Sequence, residues 1–145
     1  MVFYGDVEQR QFMGDMRDNI GMANQSPQTK FEIFSPPYLN WGAHRPVITT
    51  ASASLAYNAT FHVETPDGAI VKDAILVRNS AQTHSSDPSQ RAVILPIIGT
   101  DGSGLTFRAP PDAELATPGP WMLFLRTDVP AHGVLPSEAA MVTLG

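Results

Sequence analysis

Thr60-Phe61-His62-Val63-Glu64-Thr65, followed by Pro66-Asp67-Gly68, is the unit whose reading decides the fold. Polar and apolar residues alternate along it. Successive side chains of an extended chain point to opposite sides, so Phe61 and Val63 share a buried face while His62 lies on the wet one. The turn that follows has a mechanism, with Pro66 presetting φ and Gly68 supplying a left-handed position. Strands closed by turn residues recur in both directions. Upstream, Phe31-Glu32-Ile33-Phe34 is stopped by Ser35-Pro36-Pro37, and Pro46 to Thr50 and Ser54 to Tyr57 read as two further strands. Downstream, Val71 to Arg78 and Arg91 to Ile98 are strands, and Gly99 to Gly104 is a hairpin turn into Leu105-Thr106-Phe107-Arg108. Trp121-Met122-Leu123-Phe124-Leu125 is a continuous apolar run, the pattern of a strand buried on both sides, and Ala140 to Leu144 closes the chain. Short strands between turns, with no convincing helix, predict an all-β chain: an immunoglobulin-like antiparallel β-sandwich of about seven strands.

Composition sets the outer limits. The chain has 145 residues, 43% of them hydrophobic, enough for one domain with its own core. Its 13 Pro and 11 Gly are spread along the chain and favour many turns over long helices. Nine Lys and Arg against 14 Asp and Glu leave a net charge of −5. That balance provides no basic footprint for nucleic acid and no polybasic anchor for a membrane. No apolar run approaches the roughly 20 residues needed to span a bilayer. Met1-Val2-Phe3-Tyr4-Gly5-Asp6 has neither the basic start nor the apolar core of a secretory leader. Cysteine is absent, which excludes disulfides, thiolate metal sites and cysteine nucleophiles within this chain. The two sheets must therefore hold by packing alone. Residues 1–30 lack a sustained period and end in the linker-like Asn24-Gln25-Ser26-Pro27-Gln28. They read as an irregular N-terminal extension or the remnant of a preceding domain, with the sandwich running from 31 to 145.

The polar loop Thr83-His84-Ser85-Ser86-Asp87-Pro88-Ser89-Gln90-Arg91 separates two of the strongest strands. Loops on a rigid sheet are where binding side chains are usually presented. His84 is the candidate metal donor, and Asp87, Gln90 and Arg91 are candidates for bracing it. One imidazole does not make a metal site, so any such site must draw its other ligands from elsewhere. Asp87 and Arg91 read as loop-stabilising, through an ion pair or an Asx-type turn at Asp87-Pro88, rather than as an acid–base pair. Ser85 and Ser86 adjoin a histidine, but no G-x-S-x-G turn accompanies them. His44 and His132 are loop residues without partner spacing. Trp121 belongs to the core, whereas Trp41 in Asn40-Trp41-Gly42 is a candidate for exposure. Asn58-Ala59-Thr60 matches the glycosylation acceptor triplet of eukaryotic secretory proteins.

Several segments together resemble one family. Phe31-Glu32-Ile33-Phe34-Ser35-Pro36-Pro37-Tyr38-Leu39 and Arg45-Pro46-Val47-Ile48 are followed by Leu76-Val77-Arg78 and Thr83-His84-Ser85-x-Asp87-x-x-Gln90-Arg91. Pro118-Gly119-Pro120-Trp121-Met122-Leu123-Phe124, Gly133-Val134 and Pro136-Ser137 complete the set. In this order they resemble the C-terminal early-set domain of the galactose oxidase and glyoxal oxidase-like radical-copper oxidases, over about 31–145. The resemblance implies that a seven-bladed propeller, on the same or another chain, supplies two tyrosines and one histidine to a copper ion. The sandwich would add a second histidine from a hairpin loop, and by motif position that is His84. Neutral imidazole suits copper(II), and Asp87, Gln90 and Arg91 would fix where it points. The resemblance further implies a secreted or cell-surface oxidase that converts primary alcohols or aldehydes with O2 to give hydrogen peroxide. The family's redox tyrosine is cross-linked to a cysteine, and this chain has none. Its tyrosines, Tyr4, Tyr38 and Tyr57, stand outside the motif, and no propeller repeat is present. This chain alone is therefore expected neither to be active nor to hold copper tightly. The alternative is a non-catalytic immunoglobulin-like module for carbohydrate binding or surface interaction.

Overall fold

Strand alternation, more than continuous apolarity, organises this chain. The structure is a computed structural model, and it describes residues 2–3, 32–33, 35–79 and 86–145. The chain divides into two units, one of Met1–Asn40 with Gln82–Ser86 and one of Trp41–Ala81 with Asp87–Gly145. In the first, β1 (Val2–Phe3) pairs antiparallel with β2 (Glu32–Ile33), and a short 3-10 turn spans Pro37–Asn40. In the second, the strands are β3 (Thr50–Ala51), β4 (Ser54–Leu55), β5 (Thr60–Glu64), β6 (Asp73–Arg78) and β7 (Ala92–Thr100). They continue as β8 (Gly104–Arg108), β9 (Gly119–Val129), β10 (Gly133–Pro136) and β11 (Ala140–Leu144). The order across the sheet is β3-β5-β8-β7-β6-β9-β11-β4, with β10 on β9. All pairs are antiparallel except β11 with β4.

One strand turns this ribbon into a sandwich. Ala92 to Pro96 of β7 pair with β6, whereas Ile97, Gly99 and Thr100 pair with β8, and a bulge falls between Ile97 and Gly99. A bulge bends its strand and increases local twist. The sheet therefore curls back over itself and encloses a single core. Val63, Leu76, Phe107, Trp121, Leu123 and Leu125 form its centre. This is the all-β, immunoglobulin-like architecture expected from the sequence.

Several details differ from that expectation. Trp121, Leu123 and Leu125 are buried, but the intervening Met122 and Phe124 are half-buried, so β9 has one covered face and one partly open. Gly68 does not take the left-handed conformation; the turn closes through Ile70 N–H on the Asp67 carbonyl, 3.0 Å, and Asp67 N–H on Thr65 Oγ1. Residues 46–49 are not a strand, because Pro46 has no N–H and Val47 N–H donates to Asp67 Oδ2 at 2.9 Å. Ser54 to Tyr57 shortens to β4 because the chain turns at Asn58, φ 58°. The strand β10 has no counterpart in the strands read from the sequence. It forms because Ala131 and Gly133 adopt positive φ and return the chain alongside β9.

Two tethers hold the edges. Arg45 Nε and Nη2 donate to the carbonyls of Pro136 and Ser137, 2.9 and 2.8 Å, so two separated segments of the resemblance meet in space. Ser137, fully buried, accepts Leu125 N–H through Oγ at 3.0 Å and donates to the Glu138 carbonyl at 2.6 Å. His44 Nε2 donates to Asp67 Oδ1 at 2.8 Å. Burial acts to raise the Asp67 pKa, but the hydrogen bonds from His44 and Val47 and the adjacent imidazole outweigh it and hold the carboxyl below its ordinary value.

The outer face of the sheet is largely apolar. Ile94, Ile75 and Phe124 lie side by side across β7, β6 and β9, and Ala92, Val77, Met122 and Met141 form the next row. Ile94 and Met141 are 57% and 55% exposed. The row below carries the half-buried Asp73–Arg126 pair, joined by bonds of 2.6 and 2.7 Å.

Ser137→Ala orphans the buried Leu125 N–H and should lower unfolding stability by about 1–3 kcal/mol in urea titration. Because the folded pKa of Asp67 is depressed, its contribution is complete above the unfolded value of about 3.9 and disappears as pH falls through the folded one. Melting temperature should therefore fall less for Asp67→Asn than for the parent sequence between pH 5 and pH 2.

Candidate functional site

Residues 79–91 connect β6 to β7, and the sheet ends where they begin. The last rung of the ladder is Val77 opposite Ala92, with Arg78 N–H donating to the Arg91 carbonyl at 2.8 Å. Two arginines thus stand at the two feet of the loop. Both reach sideways into the irregular segment that precedes β9. Arg91 Nη1 donates to the carbonyls of Glu114 and Leu115, 2.7 and 3.0 Å. Arg78 Nη1 donates to those of Thr117 and Pro118, 3.2 and 2.8 Å. Tyr57 Oη takes the Ala116 carbonyl at 2.7 Å, and Trp121 Nε1 also takes that of Thr117, at 2.9 Å. Five consecutive carbonyls, 114 to 118, therefore accept from side chains. A segment without a ladder must satisfy its acceptors in some other way, and here the loop's own feet do so.

The segment is shaped to receive them. Asp112 Oδ1 accepts the N–H groups of Glu114 and Leu115, 3.0 and 2.9 Å, which folds 112–116 into a turn. Gly119 has φ +115°, and a Cβ there would stand 3.1 Å from both terminal nitrogens of Arg78. The positive φ calls for glycine, and a Cβ would also crowd the Arg78 guanidinium. The Arg78 guanidinium lies 5.5 Å from the centroid of the buried Trp121 ring, so a cation rests against an aromatic face at the end of β6.

The sequence candidates distribute as follows. His84 lies outside the described residues. Asp87 is half-buried and opens a turn in which Gln90 N–H meets the Asp87 carbonyl at 3.4 Å; the Gln90 side chain is exposed. Arg91 sits at the descending foot. Arg78, Tyr57, Asp112 and Gly119 are members of the brace to which sequence reading assigned no role. Gly119, between two prolines and ahead of an apolar strand, was the one available signal.

The remaining histidines serve elsewhere. His44 joins Asp67, and His132 stacks on Trp41 with ring centroids 5.1 Å apart. His62, on the open face of β5, meets Ser103 Oγ through Nε2 at 3.2 Å and stands 3.8 Å from Asp101 Oδ2 through Nδ1. The residue types of a hydrolytic triad meet here, but the donors converge on the carboxylate. The hydroxyl of Ser103 and the N–H groups of Ser103 and Gly104 all point at Asp101 Oδ1, 2.7, 2.8 and 3.0 Å. The Ser103 hydroxyl and N–H are the main causes holding Asp101 below its ordinary pKa. The cluster fastens the β7–β8 hairpin and leaves no N–H pair for an oxyanion. Among the described residues, no three His, Asp or Glu side chains converge as a metal ion requires.

Residues 45–144 match the family model described as galactose oxidase-like, early set domain. A WSC domain-containing protein of Arthroderma benhamiae is 31% identical over 119 residues, 81% of this chain and 12% of that protein. A galactose oxidase of Gibberella zeae is 35% identical over 99 residues, 65% of this chain and 14% of that protein. Among solved structures, a fungal alcohol oxidase of the AA5 family in complex with copper aligns with a TM-score of 0.63 at 31% identity, over 76% of this chain and 23% of its own. The chain thus spans less than a quarter of the length of each of these relatives.

Gly119→Ala should cost about 1–3 kcal/mol in chemical denaturation, from backbone strain and the clash with Arg78. In a double-mutant cycle with Arg78→Ala, part of that cost should disappear, because only the strain remains.

Proposed function

Because this chain belongs to the galactose oxidase-like early-set domain family, we propose that it is the C-terminal domain of a secreted or cell-surface copper-radical oxidase and donates the imidazole of His84 to a copper site. The observation that carries this reading is the brace at the two feet of the loop. Arg78 and Arg91 fix both feet of the segment containing His84 against 114–118, on a sheet whose neighbouring strands are long and well paired. A ligand delivered from one module to another needs such a base, since its aim depends on supporting contacts.

One neutral imidazole fits copper(II) as a partial donor set, and it is the share expected of this chain. Bound copper supplies a one-electron redox centre for the oxidation of a primary alcohol or aldehyde by O2, with hydrogen peroxide as second product. The remaining ligands, the redox tyrosine and its cysteine partner belong to a propeller module beyond this sequence, which has no cysteine. Within this chain, Arg91 and the turn from Asp87 to Gln90 fix one end of the loop, while Arg78, against the Trp121 ring, fixes the other. The apolar rows of the outer face, Ile94 with Ile75 and Phe124, support contact with that further module. A contiguous apolar surface of this kind is uncommon on a free-standing domain.

In the full-length parent, His84→Ala should abolish the Cu(II) electron paramagnetic resonance signal of the native site and peroxide production. Arg91→Ala should weaken copper affinity about tenfold, measured by competition with a chelator. Wild-type copper content and an unchanged spectrum after His84→Ala would overturn the assignment in favour of a non-catalytic interaction module.

A further inference from the structure

The triplet Asn58-Ala59-Thr60 has no part in the core, the tethers or the brace, and we infer that Asn58 is the acceptor of an N-linked glycan. Asn58 and Ala59 lie in the turn between β4 and β5, and Thr60 begins β5. Asn58 has φ 58°, its N–H donates to the Pro110 carbonyl at 2.8 Å, and Ala59 N–H donates to the Ala56 carbonyl at 3.2 Å. The backbone is therefore held in one conformation, and Asn58, Ala59 and Thr60 are all exposed.

The amide is divided in its use. Asn58 Oδ1 accepts from Arg108 Nη1 at 3.3 Å, while Nδ2 makes no hydrogen bond among the described residues. Nδ2 is the atom that would carry the sugar. Its substitution takes no donor away from the fold, and the chain around it leaves the position open to solvent. Thr60, the third residue of the triplet, begins β5 with its side chain on the open face.

A simpler role exists for Asn58, since asparagine tolerates the left-handed region and would serve this turn without modification. That role makes no demand on residue 60 beyond strand propensity, which valine satisfies as well as threonine. The triplet requires a hydroxyl there, and the two roles are thereby separable. In the transfer, Asn58 Nδ2 forms a bond to the anomeric carbon of a lipid-pyrophosphate-linked oligosaccharide. The bond from that carbon to the pyrophosphate oxygen breaks, Nδ2 loses one proton to the transferase, and the lipid pyrophosphate leaves. No oxidant or reductant takes part.

The assignment rests on the secretory part of the proposed function, because only that route presents the chain to the transferase. The test secretes the full chain behind a leader from eukaryotic cells, followed by glycosidase digestion and peptide mapping. A glycosidase-sensitive mass increase mapped to Asn58 is expected. It should be lost in Asn58→Gly, which keeps the turn, and in Thr60→Val, which keeps the strand, but retained in Thr60→Ser. A secreted, folded chain with Asn58 unmodified, or a glycan undiminished in Asn58→Gly, would overturn it. Glycan at Asn58 of the secreted chain, with native protein found in the cytosol, would sustain the acceptor and overturn the secretory reading.

Discussion

The carbonyls of residues 114–118 are the constraint on which one end of this sheet depends. They belong to a segment that has left one strand and not yet entered the next, so no ladder satisfies them. Arg91, Tyr57, Trp121 and Arg78 do so instead, and each comes from a different part of the chain. Hydrogen bonds from a charged guanidinium are stronger than neutral ones, and leaving such carbonyls unmet would cost more than the bonds contribute. The end of β6, the start of β7 and the approach to β9 are therefore one structural object.

Strand β7 supplies the complementary constraint. It pairs with β6 along its first half and with β8 along its second, so it belongs to both sheets. The bulge between Ile97 and Gly99 allows the change of partner without exposing Leu95, which remains in the core. The descending arm of the loop accordingly leads into a strand that pairs with two others. The ascending arm emerges from β6, paired on both sides with β7 and β9.

Architecture was legible where burial sets the pattern. Phe61, Val63, Trp121 and Leu123 alternate or cluster as a core face must, and they are buried. Where hydrogen bonding to main chain sets the structure, the sequence was nearly silent. Carbonyl acceptors have no residue signature, so Arg78 and Tyr57 carry no mark of their role, and Asp67 reads as a turn residue although its carboxylate holds Val47 and His44. Gly68 was assigned a conformation that Asp67 and Thr65 make unnecessary. The strand β10 escaped reading because two positive-φ residues, one of them Ala131, return the chain where alanine gives no turn signal. Arg91 was legible as a brace candidate from its place in a polar loop between two strands; its partners, Glu114 and Leu115, were not.

The brace also bears on the order in which the molecule forms. Its bonds join residues 23 apart for Arg91 with Glu114, 39 for Arg78 with Thr117 and 59 for Tyr57 with Ala116. Contacts of such sequence separation are costly in loop-closure entropy and form late relative to local hairpins. The β7–β8 hairpin, with its local Asp101 clamp, can exist before them, whereas the feet of the 79–91 loop cannot be fixed until β9 has docked. A nascent chain would thus close its core and fix the feet of this loop in one step, when Trp121, Leu123 and Leu125 of β9 are buried.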